Sequence, residues 1–476
     1  MRNIISLALL LIFLLLAGCE LNTSNDVSRE KNHGFETESL GNIFYDKCAT
    51  SGCHSSRNPV NGLSLASHTE LFEGSFDRPV PGTSIYGGDV VIPYSVSKSL
   101  LYQFITGNID TKLDVDHLML TGSEVLEIKE WIEDGAKDYK QEVPFSVPNP
   151  YRVYVCNRGS DLVSVIDGRQ KVVSRVVDVG PDDDSTQIPV QIKERGDFYY
   201  VTSAKAGKFI KIRKSDNEIV AEIDNLIFPG DFVLMESTNK AYIARSLLST
   251  GLYNSIYVVN FNTMTFIREV TFTQAGLPVG VALNLLETFL FVSDNVNNVI
   301  YGVNTATDNT GEFAPIIFAF NFRPTYLKMD PLGNYLYMSA PGTNELVVID
   351  LTSRLTTSII SVGANPRHIA VKSDASKIYV TCMDANGVDV INRIVNSWTW
   401  SRRITNPAFS MLDGIDITKD DGLLYITGRN SEGDFEVPYP VKSEKTPGIV
   451  GIISVANESV IKVIEVERQP GGIATE

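Results

Sequence analysis

The sequence predicts a multidomain chain: a small all-α domain followed by an all-β seven-bladed propeller that its C-terminal strand closes. Three observations predict it. A strand motif led by tyrosine recurs seven times beyond residue 150 at a period in the forties, which suits propeller blades of alternating strand better than helical solenoids. Each copy but the first follows a strand introduced by proline or a stand-in, and the strand missing from the first copy reappears at Pro470. Between residues 39 and 140 the pattern is helical instead. Thr121 and Glu124 have capping-box spacing, Leu126, Ile128, Trp131 and Ile132 supply apolar positions, and Gly135 stands where the helix can end.

Composition bounds the rest. A chain of 476 residues with 43% hydrophobic residues has ample core for more than one domain. Lys plus Arg total 41 against 57 Asp plus Glu, a net charge of −16, and no basic stripe rises from that background, so nucleic acid is excluded as a partner. The five Cys and five His crowd toward the N-terminus, where Cys19, Cys48, Cys53, His33, His54, His68 and His117 lie. A disulfide-rich scaffold is excluded, as is a multi-histidine metal centre in the larger part.

Arg2 precedes an apolar run from Ile4 to Ala17 that stops at Gly18-Cys19. Its length and flanks make residues 1–18 a signal peptide rather than a transmembrane helix. Leu16-Ala17-Gly18-Cys19 resembles the bacterial lipobox, which implies cleavage before Cys19 and lipidation of its thiol and new amino group. A plain signal peptide with an incidental Cys is the alternative. Several acyl chains on one residue exceed what stable anchoring needs, so the expected location is the bacterial cell envelope, lipid-anchored with a soluble body facing periplasm or surface. Glu20 stands where Asp would favour inner-membrane retention, so the resemblance implies the outer membrane. Residues 19–38 are polar and aperiodic and read as a flexible tether.

The next segment, 39–140, carries the string Cys48-Ala49-Thr50-Ser51-Gly52-Cys53-His54. Covalent haem attachment needs two thiols on one short turn for the two vinyl groups, with a His directly after the second to lie under the iron. Four residues separate the thiols here, a less common spacing, and a small disulfide loop between Cys48 and Cys53 is the bland alternative. With Gly62-Leu63-Ser64-Leu65, Val91-Ile92-Pro93, Ser99-Leu100-Leu101-Tyr102 and Trp131-Ile132-Glu133-Asp134-Gly135-Ala136, the segment resembles the small c-type cytochrome domains of bacterial lipoproteins. That resemblance implies a cytochrome c-like all-α fold, one covalent haem c on Cys48 and Cys53, and His54 as an axial iron ligand. It places Met119 opposite, although the Met-Pro-Pro of the family lacks its prolines here. His117 is the alternative ligand, His68 a weaker one, and an open site would allow ligand binding rather than simple electron transfer. Ile43 and Phe44 are expected to pack against the last helix and roof the haem.

Residues 141–150, with Pro144, Pro148 and Pro150, form a linker. In the propeller, 151–476, the motif runs Tyr154-Val155-Cys156-Asn157, Tyr200-Val201-Thr202-Ser203, Tyr242-Ile243-Ala244-Arg245, Phe291-Val292-Ser293-Asp294, Tyr337-Met338-Ser339-Ala340, Tyr379-Val380-Thr381-Cys382 and Tyr425-Ile426-Thr427-Gly428. First residues are spaced 46, 42, 49, 46, 42 and 46 apart. A second strand follows each copy, as in Leu162 to Asp167. The preceding strands start at Pro189, Pro229, Pro278, Pro324, Pro366 and Leu412, and Pro470 should complete the first blade and so remove the ring's open edges. The pattern resembles the YVTN family of propellers. His368 takes the place of Gly280 and Gly472 on strands expected to line the tunnel, and is a candidate tunnel contact. Cys156 and Cys382 fall in blades that are not neighbours and read as buried free thiols. Asp182-Asp183-Asp184 reads as a solvated loop.

The leading function is a membrane-anchored c-type cytochrome that transfers electrons through its haem, with the propeller docking a redox protein partner or substrate. An electron carrier is favoured over an enzyme. A haem-free surface interaction or adhesion protein, and a periplasmic oxidoreductase with its active site at the tunnel, are the alternatives; catalytic residues and oligomeric state are not set by the sequence. Loss of Arg2 with the leader leaves 40 basic residues against 57 acidic, so a docking protein should present a basic face.

Overall fold

A computed structural model describes residues 31–57, 59–73, 90–109, 120–146, 151–180, 187–430 and 446–476. The described residues fall into two compact units, the first of residues up to 107 and from 120 to 146, the second of residues 108–109 and those from 151 on.

The N-terminal unit corrects the first expectation: it is not a small all-α cytochrome c-like domain. Four short α-helices are described, α1 (Glu38–Ile43), α2 (His68–Glu73), α3 (Leu100–Ile105) and α4 (Gly122–Glu133), separated by turns and single 3-10 or π turns. The breakers explain why helix does not spread. Pro59 and Pro93 remove donors, and Gly52, Gly62 and Gly107 adopt positive φ between the helical stretches. Set beside the β-rich second unit, these helices leave the chain nearly all β.

The expected capping signals do act on α4. Thr121 Oγ1 accepts from Glu124 N while the Glu124 carboxylate accepts from Thr121 N, a capping box. At the other end Gly135, with φ of 99°, lets Gly135 N reach Ile132 O and Ala136 N reach Trp131 O, a Schellman closure. Helix α4 buries Ile128, Trp131 and Ile132 against an aromatic core. Phe35 stacks on Phe44 at 4.4 Å, and Trp131 meets Phe44 edge-on at 5.6 Å. Phe35, assigned to the tether by sequence, is fully buried and bridges to Asp138, so the ordered unit begins before residue 39.

The second unit is the seven-bladed propeller. Blade one holds β1 (Arg152–Asn157), β2 (Leu162–Asp167) and β3 (Val172–Asp178); blade two holds β4 (Pro189–Arg195), β5 (Phe198–Ser203), β6 (Lys208–Arg213) and β7 (Ile219–Ile223). Blade three comprises β8 (Pro229–Met235), β9 (Lys240–Arg245), β10 (Tyr253–Asn260) and β11 (Thr265–Gly276), and blade four β12 (Pro278–Leu283), β13 (Phe289–Asp294), β14 (Val299–Asn304) and β15 (Ile316–Ile317). Blade five is β16 (Leu327–Met329), β17 (Tyr335–Ala340), β18 (Glu345–Asp350) and β19 (Leu355–Ser361), and blade six β20 (Pro366–Val371), β21 (Lys377–Cys382), β22 (Gly387–Ile394) and β23 (Ser397–Thr405). Blade seven is β24 (Leu412–Ile417), β25 (Leu423–Gly428), β26 (Gly448–Ser454) and β27 (Ser459–Val466). The last strand, β28 (Pro470–Thr475), returns to blade one and pairs antiparallel with β1, Tyr154 opposite Ala474 and Val155 opposite Ile473. The ring closes as the phase of the repeat requires.

Two sequence features explain how the blades hold together. The leading aromatic of each copy, from Tyr154 to Tyr425, is buried between sheets. The hydroxyl two places later joins neighbouring blades: Thr202 donates to Gly230 O (2.8 Å), Thr381 to Asp413 O (2.6 Å) and Thr427 to Gly471 O (2.8 Å), and Ser293 does the same to Thr325 O. Each acceptor is on the innermost strand of the next blade or the segment leading into it. The innermost strands of blades two, three, four, six and seven are bulged just after their first residue, as at Pro229/Phe232 and Pro366/Ile369, and a bulge re-aims side chains. A glycine serves where these strands crowd most: a Cβ on Gly280 would overlap the Thr325 carbonyl.

Candidate functional site

Each unit contains one candidate site. In the N-terminal unit, α1 runs into a π turn (Phe44–Cys48) that ends on Cys48. Gly52, with φ of 85°, reverses the chain, so that His54 N donates to Cys48 O (3.1 Å) and Cys53 N to Thr50 O (3.0 Å). Both cysteines and His54 thus sit on one closed turn, each half-buried. Neither thiol is in a disulfide in this structure. Burial, reinforced by Cys53, pushes the Cys48 thiol up to about 11, which keeps it protonated at neutral pH.

The His54 ring is oriented by a backbone carbonyl: its Nδ1 lies 3.0 Å from Leu63 O, with the N–H on Nδ1 and the lone pair on Nε2. Lys47, next to the first thiol, bonds both carboxylate oxygens of Glu124 (2.6 and 2.7 Å), pinning the turn to the start of α4. That pairing holds the Glu124 carboxyl at about 2. His68 is engaged elsewhere. It is buried among Phe35, Phe72 and Trp131 with Nε2 2.9 Å from Ala136 O, and burial lowers its pKa. Met119, His117, Cys19, the signal peptide 1–18 and Asp182-Asp183-Asp184 lie outside the described residues.

The second site is the hub of the propeller. His368, on β20, reaches across the axis to blade two, where its Nε2 lies 2.6 Å from Gln191 Nε2. Its Nδ1 lies 3.1 Å from Asp413 O, and Tyr326 of blade five packs on its ring at 3.6 Å between centroids. Burial holds His368 below its ordinary pKa, only partly offset by Asp413, so the ring is a neutral bridging group at pH 7.

Sequence reasoning found His368 but missed its surroundings. Asp413 is fully buried and receives three guanidinium groups: Arg158 and Arg429 on Oδ2 (2.7 and 2.6 Å) and Arg367 on Oδ1 (3.1 Å). Burial alone would raise that carboxyl, but the arginines reverse the effect and hold it well below the usual carboxylate range. The four residues come from blades one, six and seven, so the cluster exists only in the closed ring. The signal that could have found it was modest: Asp413 and Arg367 both directly follow the first residue of an innermost strand. Cys156 and Cys382 are buried free thiols, raised by burial.

No protein-family model matches the chain, and no curated protein matches it. Solved structures do. A functionally unknown protein from Desulfotomaculum acetoxidans DSM 771 is similar with a TM-score of 0.55 at 16% identity, over 68% of this chain and 98% of that one. A protein from Lactobacillus plantarum gives 0.54 at 12% identity, over 68% and 99%. Hydrazine synthase from Kuenenia stuttgartiensis gives 0.51 at 15% identity, over 64% and 93%. At these identities the similarity shows the propeller fold alone.

Proposed function

We propose that the chain is a membrane-anchored electron-transfer protein of the bacterial envelope that carries one covalent haem c on Cys48 and Cys53, with the propeller docking a redox partner or substrate. The observation that carries this reading is the thiol turn: two cysteines and a carbonyl-oriented His54 closed into one loop by the His54 N–H to Cys48 O hydrogen bond. Among the described residues no group of three or more His, Cys, Asp or Glu is placed to hold a bare metal ion. Cys48 and Cys53 would anchor such a haem through thioether bonds and His54 would offer its imidazole to the iron.

Haem, when bound, supplies single-electron chemistry. The chain's own residues do the rest. Leu63 O orients His54 and raises the basicity of its Nε2. Lys47 and Glu124 fix the turn on α4, and the Phe35, Phe44 and Trp131 core beside it limits water. Sequence register puts Met119 first as the opposite ligand and His117 second. The lipobox resemblance at Cys19 supports the anchor, and the acidic balance supports a partner with a basic face.

The test is the reduced spectrum in alkaline pyridine of the full chain, purified after co-expression with a haem-attachment system. One haem retained per chain through denaturation, and lost when both cysteines are changed to alanine, is the expected outcome. A chain that leaves that system without attached haem overturns the reading.

A further inference from the structure

We propose that the mouth of the propeller axis is a binding site for a small organic carboxylate. A cavity of about 160 Å³ opens there, close to the roughly 150 Å³ that suffices to hold a benzene ring. Four arginines line it, Arg158, Arg245, Arg367 and Arg429, against one acidic residue, Asp231. Asp231 is already engaged: it accepts from Val281 N (3.2 Å) and lies 3.6 Å from Lys193 Nζ. Arg245 is likewise held by Ser255 O (3.0 Å) and Ile227 O (2.9 Å).

The other three arginines share the single carboxylate of Asp413, so the cluster holds two positive charges in excess inside a protein whose net charge is −16. Two of their donors are left over. Arg158, 8% exposed, has a buried Nε without a hydrogen-bond partner among the described residues, and so does Arg429. These two Nε atoms are shut off from solvent, so it is the excess positive charge of the cluster that calls for an anion at the mouth, and a carboxylate is the group whose planar oxygens match a guanidinium edge. The remaining walls decide between organic and inorganic anions. Val190, Leu248, Val279 and Met383 face the same space, with Tyr326 at its floor beside His368. An apolar body bearing one carboxylate satisfies both halves of this lining, whereas phosphate would leave the apolar half uncovered.

The site is independent of haem, and its test uses the full chain with benzoate as probe, titrated by calorimetry. Benzoate should bind saturably at one per chain, with benzyl alcohol and inorganic phosphate at least about tenfold weaker. Arg429→Gln should weaken benzoate by about tenfold or more. Leu248→Glu provides the folding-safe variant: Leu248 is 43% exposed on the rim, outside the Asp413 cluster, and a carboxylate there should repel benzoate while leaving the melting temperature unchanged. Benzyl alcohol binding as tightly as benzoate would mean an apolar pocket only, and phosphate binding as tightly a general oxyanion site. Either result overturns the proposal, as does undiminished benzoate binding in folded Leu248→Glu or no saturable binding up to about 10 mM.

Discussion

Removal of residues 470–476 takes out β28 and reopens the ring, and the structure allows the loss to be sized. The strand pairs four of its residues with β1, accepts the Thr427 hydroxyl at Gly471 O, ties Thr475 to Asp416 (2.9 Å) and places Glu476 on the Tyr154 hydroxyl (3.0 Å). It also buries Ile473 to 8% exposure. At about 1 kcal/mol for each net hydrogen bond and about 1.5–3 kcal/mol for the isoleucine, the loss is roughly 8–10 kcal/mol. Domains of this kind are stable by only about 5–15 kcal/mol, so the truncated ring should be unfolded or nearly so at 25 °C. Urea denaturation followed by far-UV circular dichroism reads this directly, with Ile473→Ala as a graded control expected to cost about 2–5 kcal/mol. A truncated chain with the same urea midpoint as the full chain would refute the closure argument, because the blades would then be stable without their latch.

Other outcomes follow from the same geometry. Asp413→Asn leaves the buried Arg158 and Arg367, and the partly buried Arg429, without their counterion and should cost about 3–5 kcal/mol, visible as a lower urea midpoint; an unchanged midpoint would mean that the cluster is satisfied by other groups. Thr121→Ala removes the cap of α4 and should lower the stability of the N-terminal unit by about 1 kcal/mol, read from the unfolding of that unit by Trp131 fluorescence in a chain whose Trp398 and Trp400 are replaced by Phe. Acid should destabilise in two stages. His68 and His368 have pKa values lowered by burial, so they favour folding fully above about 6.5 and lose that contribution as pH falls below it. Asp413, depressed by its arginines, adds a second loss below about 3.9. Urea midpoints that rise between pH 6.5 and 4 would contradict this. If haem is attached, Met119→Ala should abolish the absorption band of methionine-ligated iron, and an unchanged spectrum would shift the assignment to His117.

The propeller was legible because most blades repeat parts of the same physical solution. A buried tyrosine, a bridging hydroxyl two residues on and a proline at the start of the next innermost strand all leave periodic marks in the sequence. The outermost strands left none. In β11 and β23 most residues are exposed, and β15 has only two residues, so no alternation marks them. The Asp413 cluster was illegible for another reason: Arg158 and Asp413 are 255 positions apart and meet only across the seam that β28 closes. In the N-terminal unit, Thr121, Glu124 and Gly135 marked α4 correctly because caps are local chemistry. The all-α expectation went wrong where it extended one well-capped helix to a segment interrupted by Pro59, Gly62, Pro93 and Gly107.

The joints between blades are not chemically alike. Four are fastened by a neutral Ser or Thr hydroxyl, but at the joint between blades three and four that position is Ala244, and the Asp231 carboxylate bonds Val281 N instead. This joint borders the cavity through Asp231 and Val279, as the joint between blades two and three does through Gly230. A hydroxyl bridge carries no net charge, whereas the Asp231 bridge does and so responds to charge placed near it. The joint between blades three and four therefore resembles the two that Asp413 spans, six to seven and seven to one, in that its tightness depends on the charge of whatever occupies the mouth.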